Sequence, residues 1–264
     1  MRGLLEEGDY SGKPTHPGAR VCAYADLRDA RRLGPSYRSG MAINGNLSIL
    51  LSFLCVVSTI LVFEKTSIDL RVQDLFYDPV RGWAVDAKAP LSRLVFYEGP
   101  KWVLVAFVAW LGLCIAAPAA WAPHLPLSPR QAGFLLTCIV VAPITAWFIK
   151  RHTGVLYPCY VQRYGGKEPY RTLLESIPRV PGRKRGRGFP AAHCSGAFAL
   201  MSLYFVMPEP LRWLGLALGL VAGWVVGLYQ MLKGVHYLSH TIVTMFLVWT
   251  IILALSRAFG LGSA

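Results

Sequence analysis

The sequence predicts an all-α polytopic membrane protein, a six-transmembrane-helix bundle whose extramembrane loops carry the active site. Three observations lead there. Of 264 residues, 54% are hydrophobic and only 16% charged, with a mean hydropathy of +0.43; that is too apolar for an ordinary soluble domain. The apolar residues gather in runs at about 43–63, 102–121, 131–149, 194–207, 211–231 and 240–256, and a bilayer crossing needs roughly 20 apolar residues at helical rise. Trp102, Trp121, Trp147, Trp213 and Trp249 stand near run ends, where amphipathic rings settle at the membrane–water boundary.

Taken in order, residues 1–42 are polar and hold Gly8, Gly12, Pro14, Pro17 and Gly18. They read as a mobile tail with a short surface helix over 24–33, and no cleavable signal pattern opens them. The membrane domain is expected over 43–258, with a short C-terminal tail at 259–264. The loop at 64–101 mixes acids with aromatics and reads as an interfacial helix followed by a turn, a packing lid without chemistry. Pro118 and Pro143 are expected to kink or end their helices. The fourth run is short, and 189–193 extend it. Pro208 and Pro210 make a tight turn that sets runs four and five antiparallel.

Charge bears on topology and on partners. The formal net charge is +13, which suits lipid head groups or an anionic substrate; the apolar runs set nucleic-acid binding aside. Six crossings place both termini on one face, with ten Lys and Arg, against seventeen on the other. Ten of those seventeen lie in the 150–193 loop, where an anion site would need them for its own reasons. Arg28, Arg31, Arg32 and Arg38, just before run one, then mark the terminal face as cytoplasmic. Of the six cysteines, Cys159 and Cys194 fall on one face, where pairing stays open. No C-x-x-C pair occurs.

The chemistry-bearing residues cluster at the ends of runs. Run three ends at Lys150-Arg151-His152 and passes into Tyr157-Pro158; a basic stretch follows, with Arg183, Arg185 and Arg187. Run four opens on Pro190-Ala191-Ala192-His193-Cys194-Ser195, and run six on His236-Tyr237-Leu238-Ser239-His240. A phosphoryl group in transfer carries negative charge on its equatorial oxygens, which Lys, Arg and helix N-terminal amides stabilise. One neutral imidazole is a competent nucleophile toward phosphorus, and another can protonate the leaving oxygen. His236 and His240, at i and i+4, also have metal-ligand spacing, but no acid or cysteine stands beside them. No metal or other cofactor is expected.

These residues resemble the type 2 phosphatidic acid phosphatase (PAP2) superfamily across roughly 45–256. Lys150, six residues, then Tyr157-Pro158 stands for its first motif. Pro190-Ala191-Ala192-His193 stands for the second. Tyr229-Gln230, five residues, His236, three residues, His240 stands for the third. The resemblance implies a six-helix bundle, with His236 as nucleophile forming a phosphohistidine, His193 as acid and base for the leaving group, and Lys150 among the phosphate ligands. Tyr157 and Gln230 replace two arginines, Ala191 and Ala192 replace serine and glycine, and His240 replaces the aspartate that fixes the nucleophile's tautomer. Arg151, Arg163, Arg183, Arg185 and Arg187 are the candidates to compensate, with Ser195 and Gln230 completing the expected phosphate-binding set.

The implied activity is hydrolysis of a lipid phosphomonoester or pyrophosphate in the cytoplasmic membrane, with the site on the extracytoplasmic face. Phosphatidic acid, phosphatidylglycerol phosphate, undecaprenyl pyrophosphate and lipid A phosphates are substrates of this class. A lipid phosphotransferase, or a lipid-binding protein that kept the fold and lost the chemistry, stand as alternatives.

Overall fold

The computed structural model describes residues 45–86, 89–118, 121, 124–179, 181–182 and 184–261. The expected tail at 1–42, with its helix at 24–33, lies outside the described residues.

Apolar sequence and backbone hydrogen bonding build long helices. Helix α1 spans Gly45–Lys65 and α2 spans Ile68–Asp74. A two-residue hairpin follows, β1 (Tyr77–Asp78) against β2 (Gly82–Trp83). The short α3 (Pro90–Arg93) runs through a π-helical turn, Leu94–Glu98, into α4 (Gly99–Ala116). Helix α5 (Pro129–Thr153) opens on a Ser128/Gln131 capping box and closes on Gly154 at φ +74°. The short α6 covers Leu173–Ser176 and α7 covers Ala192–Phe198. Helices α8 (Arg212–Leu232) and α9 (Leu238–Ala258) complete the chain.

Among the described residues, five helices are long and apolar enough to cross a bilayer, one fewer than expected. The fourth run is the exception. It forms seven residues of α-helix and seven of 3-10 helix, Ala199–Phe205, roughly 25 Å long against a hydrocarbon core of about 30 Å. Pro208 and Pro210 halt it at one end, and at the other Ala191 N–H, just before the turn that carries His193, donates to Thr244 Oγ1 at 2.9 Å. Pro118 lies just past the end of α4, whereas Pro143 lies inside α5, which continues beyond it. Neighbouring helices tolerate the missing N–H in such a setting. Cys159 and Cys194 are free thiols.

The main core joins α4, α5, α7 and α9 through residues such as Leu111, Phe134, Leu135, Phe198, Val248 and Ile252. Helix α1 packs along α9, where Ser52 Oγ and Thr250 Oγ1 share a 2.8 Å hydrogen bond. Large apolar side chains are left facing outward, among them Leu50, Phe53, Val103, Leu113, Ile144 and Val221. An outward apolar band of this kind marks a lipid-facing surface.

Helix α8 meets α7 and the 3-10 stretch across Gly215, Gly219, Gly223 and Gly227, all buried. A Cβ at Gly219 would overlap the Met201 backbone, which has no side-chain freedom to yield. Gly219→Ala is therefore expected to destabilise the protein by about 1–3 kcal/mol. Thermal unfolding in detergent checks this, with Gly112→Ala as control because that position faces open space.

Candidate active site

The site sits where α5 ends, α7 begins and the α8–α9 turn returns. Helix α5 delivers Lys150 in its last turn, buried at 9% exposure. Beyond Gly154 the chain is pinned beside the segment at 186–188: Gly186 N–H donates to the Gly154 carbonyl at 3.0 Å, and Gly188 N–H donates to the Val155 carbonyl at 2.7 Å. Thr153 Oγ1 donates to the Phe189 carbonyl at 2.7 Å. These bonds place α7, and with it His193, against the end of α5. A Cβ at Gly188 would stand 2.9 Å from the Leu156 carbonyl oxygen, so the close approach needs glycine there.

The second half of the site comes from the turn between α8 and α9. Val235 N–H and His236 N–H both donate to the Gln230 carbonyl, at 2.9 and 3.3 Å. Gly234, at φ +71°, lets the chain reverse under the Trp83 ring. Its carbonyl accepts from Cys159 N–H at 3.0 Å. His236 emerges fully buried, and its Nε2 lies 3.1 Å from Nδ1 of His193. His193 itself is exposed. One imidazole is thus open to an incoming group, and the other stands directly behind it.

Cations dominate the surroundings. Lys150 acts electrostatically on both rings, Lys233 on His193, and Arg187 on Lys150 and Tyr157. No ion pair involves Lys150 among the described residues. Burial, then the neighbouring His240, His193 and Lys150, holds the His236 imidazole well below its ordinary value of 6.5. The ring is neutral at physiological pH, the form that attacks an electrophile. The Gly188 carbonyl lies against the His236 and His240 rings, but neither Nδ1 makes a hydrogen bond of full geometry.

A PAP2 superfamily model matches residues 131–261, which takes in Lys150, His193 and His236 together. The chain belongs to the PAP2 superfamily. PAP2 membership supports a phosphoester hydrolase in general. No curated protein and no solved structure matches the chain.

Within this PAP2 protein, several residues expected at the phosphate lie elsewhere. Arg151 stacks on Trp147, with its guanidinium carbon 4.6 Å from the ring centroid, on the exposed side of α5. Arg163 forms a bidentate pair with Asp74, at 2.8 and 2.6 Å. Arg185 donates to the carbonyls of Ile177 and His152, at 3.0 and 2.9 Å. Each finds a closer acceptor or a flat aromatic face before it reaches the histidines. Ser195 is buried, its Oγ donating to the Ala192 carbonyl at 2.7 Å. Gln230 is buried with both amide atoms unpartnered. Arg183 lies outside the described residues. Of the four described arginines, Arg187 alone acts electrostatically on Lys150.

His240 is also differently placed from an aspartate substitute. Its ring centroid is 5.8 Å from that of His236, edge-on, and it packs against Phe189 and Tyr237 at 5.3 Å each. Among the described residues no three His, Cys, Asp or Glu side chains are grouped to hold a metal ion. Sequence reasoning missed Lys233. Its position three residues before His236 was the available signal, but only the fold sets its ammonium over the Tyr229 ring, from where its charge acts on His193.

Proposed function

We propose that the protein is an integral-membrane lipid phosphatase acting on a phosphomonoester or pyrophosphate of a membrane lipid. One observation carries the reading: a buried lysine stands beside a hydrogen-bonded pair of histidines, one buried and one exposed. A cationic, partly dry pocket favours a dianionic phosphoryl group, and the site's position at the helix ends suits a head group held at the membrane surface.

In this scheme His236 Nε2 attacks phosphorus and the P–O bond to the lipid breaks. Burial, then Lys150 and Lys233, lower the His193 pKa to about 4, so this ring takes up its proton only as the phosphoryl dianion offsets those cations; it then protonates the departing oxygen, and the lipid leaves as an alcohol or a lipid monophosphate. His193, now neutral, takes a proton from water as that water attacks the phosphohistidine. Inorganic phosphate leaves and His236 is restored. Lys150, Arg187 and Lys233 stabilise the phosphoryl oxygens throughout, and the scheme needs no metal. The extracytoplasmic face of the cytoplasmic membrane is the proposed location, on the strength of the basic segment preceding α1.

Phosphate release from a panel of lipid phosphates and pyrophosphates, with and without chelator, tests this reading. Turnover of at least one lipid, unchanged by chelation, is expected. The acid limb of kcat/KM should fall below pH 6.5, because burial lowers the His236 pKa and the neutral ring persists into more acidic solution. An acid limb above that value contradicts His236 as the attacking group. The absence of a hydrogen bond between His236 and His240 favours a second reading, a lipid-phosphate-binding protein without turnover. Lipid phosphate binding with no release from any substrate selects it.

A further inference from the structure

We propose that α2 is a positioning brace for the reacting histidine, acting through Asp69 and Gln73 on the two ends of the α8–α9 turn. The inference rests on the reading of His236 as the nucleophile. Helix α2 lies ahead of the segment matched by the PAP2 family model, in the stretch expected to be a lid without chemistry.

Asp69 and Gln73 are four residues apart and share one helix face; both are buried, at 5% and 0% exposure. The Asp69 carboxylate accepts from Ser239 N–H at 2.8 Å and from Ser239 Oγ–H at 2.5 Å. Ser239 is the second residue of α9, whose own N-cap residue, Tyr237, contributes no side-chain cap. Asp69 therefore caps α9 from another helix, with its charge at the positive end of the dipole. Gln73 Nε2 donates to the Met231 carbonyl at 2.9 Å, in the last turn of α8. His236 lies between these two fixed points.

The brace is itself anchored. Asp74 accepts from Arg163 and from Tyr164 Oη–H, and Tyr164 Oη–H also reaches the Leu70 carbonyl at 3.2 Å. The same loop donates Cys159 N–H to Gly234. The turn is thus held at 231, 234 and 239, around a histidine whose Nε2 must meet phosphorus in line. Arg163 gains its role here, through Asp74 and away from the phosphate. Burying Asp69 is costly: desolvation raises its carboxyl from 3.8 to about 6, although both Ser239 bonds pull the other way. A carboxylate kept at that cost is accounted for by the turn it orders.

The test uses the full-length protein and a lipid phosphate that it hydrolyses. Asp69→Ala should lower kcat about 10- to 100-fold through misplacement of His236, with KM within about twofold. Asp69→Asn keeps an acceptor for Ser239 N–H and should restore kcat to within about threefold. Gln73→Met, close to isosteric, should lower kcat without lowering the melting temperature. Hydrogen exchange reads the brace independently of turnover: amides at 231–239 should exchange about tenfold faster in Asp69→Ala. Unchanged exchange overturns the proposal, as does faster exchange with kcat unchanged. A kcat loss no greater than the loss of folded protein, or no rescue by Asp69→Asn, also overturns it. If the wild-type protein hydrolyses none of the panel, the phosphatase reading fails, and exchange alone decides the brace.

Discussion

Replacing His236 by alanine is expected to remove lipid phosphate turnover, by about 10³-fold or more, since a covalent route has no substitute for its nucleophile. The neighbouring His193 cannot take over. In the proposed scheme His193, whose Nδ1 lies 3.1 Å from His236 Nε2, serves the departing oxygen, and its own attack would leave no acid for that step. Alanine also opens a cavity, because His236 is fully buried. His236→Asn serves as the second variant, filling part of the space and keeping a polar group toward Gly188. Rapid-quench trapping with labelled substrate should give an alkali-stable, acid-labile phosphoprotein in the wild type and none in either variant. Full turnover in a folded His236→Asn protein would exclude the mechanism.

The second large effect is expected at Lys150. Lys150→Met should lower kcat by about 10²–10³, the usual loss when one charged stabiliser of a developing anion is removed. Stability should hold or rise. The ammonium is buried, and it lies near Arg187 with no ion pair among the described residues to offset its desolvation. Methionine keeps the length and apolar stem of the side chain. Competitive inhibition by inorganic phosphate should weaken in parallel with kcat, and thermal unfolding should show no loss. A variant that keeps both kcat and phosphate inhibition would remove Lys150 from the site.

Much of the site was legible because its residues are tied to helix ends. Lys150 closes an apolar run, His193 opens one, and His236 stands four residues before another. A run end is a point where local pattern already fixes position in space. The arginines were not legible in this way. Arg151, Arg163, Arg185 and Arg187 follow one another between the end of α5 and the start of α7, yet they turn to Trp147, to Asp74, to two backbone carbonyls and to the neighbourhood of Lys150. Long flexible side chains go to whichever partner the rest of the fold brings near, and Asp74 comes from 89 residues away.

The sequence by itself determined the apolar helical character, the five helices long enough to cross a bilayer to within a few residues at most ends, and the histidine pair with its lysine. Hydrophobic runs and helical rise are local properties, so they are written directly in the chain. Tertiary structure alone decided that the fourth run changes from α-helix to 3-10 helix part-way, that His240 turns its edge to His236 and makes no hydrogen bond to it, and that Asp69 and Gln73 of α2 bond to the two ends of the α8–α9 turn. Each depends on which distant segments pack together, such as Asp69 meeting Ser239 across 170 residues. Contacts of that range are fixed by the whole fold and leave no periodic trace in the sequence around either partner.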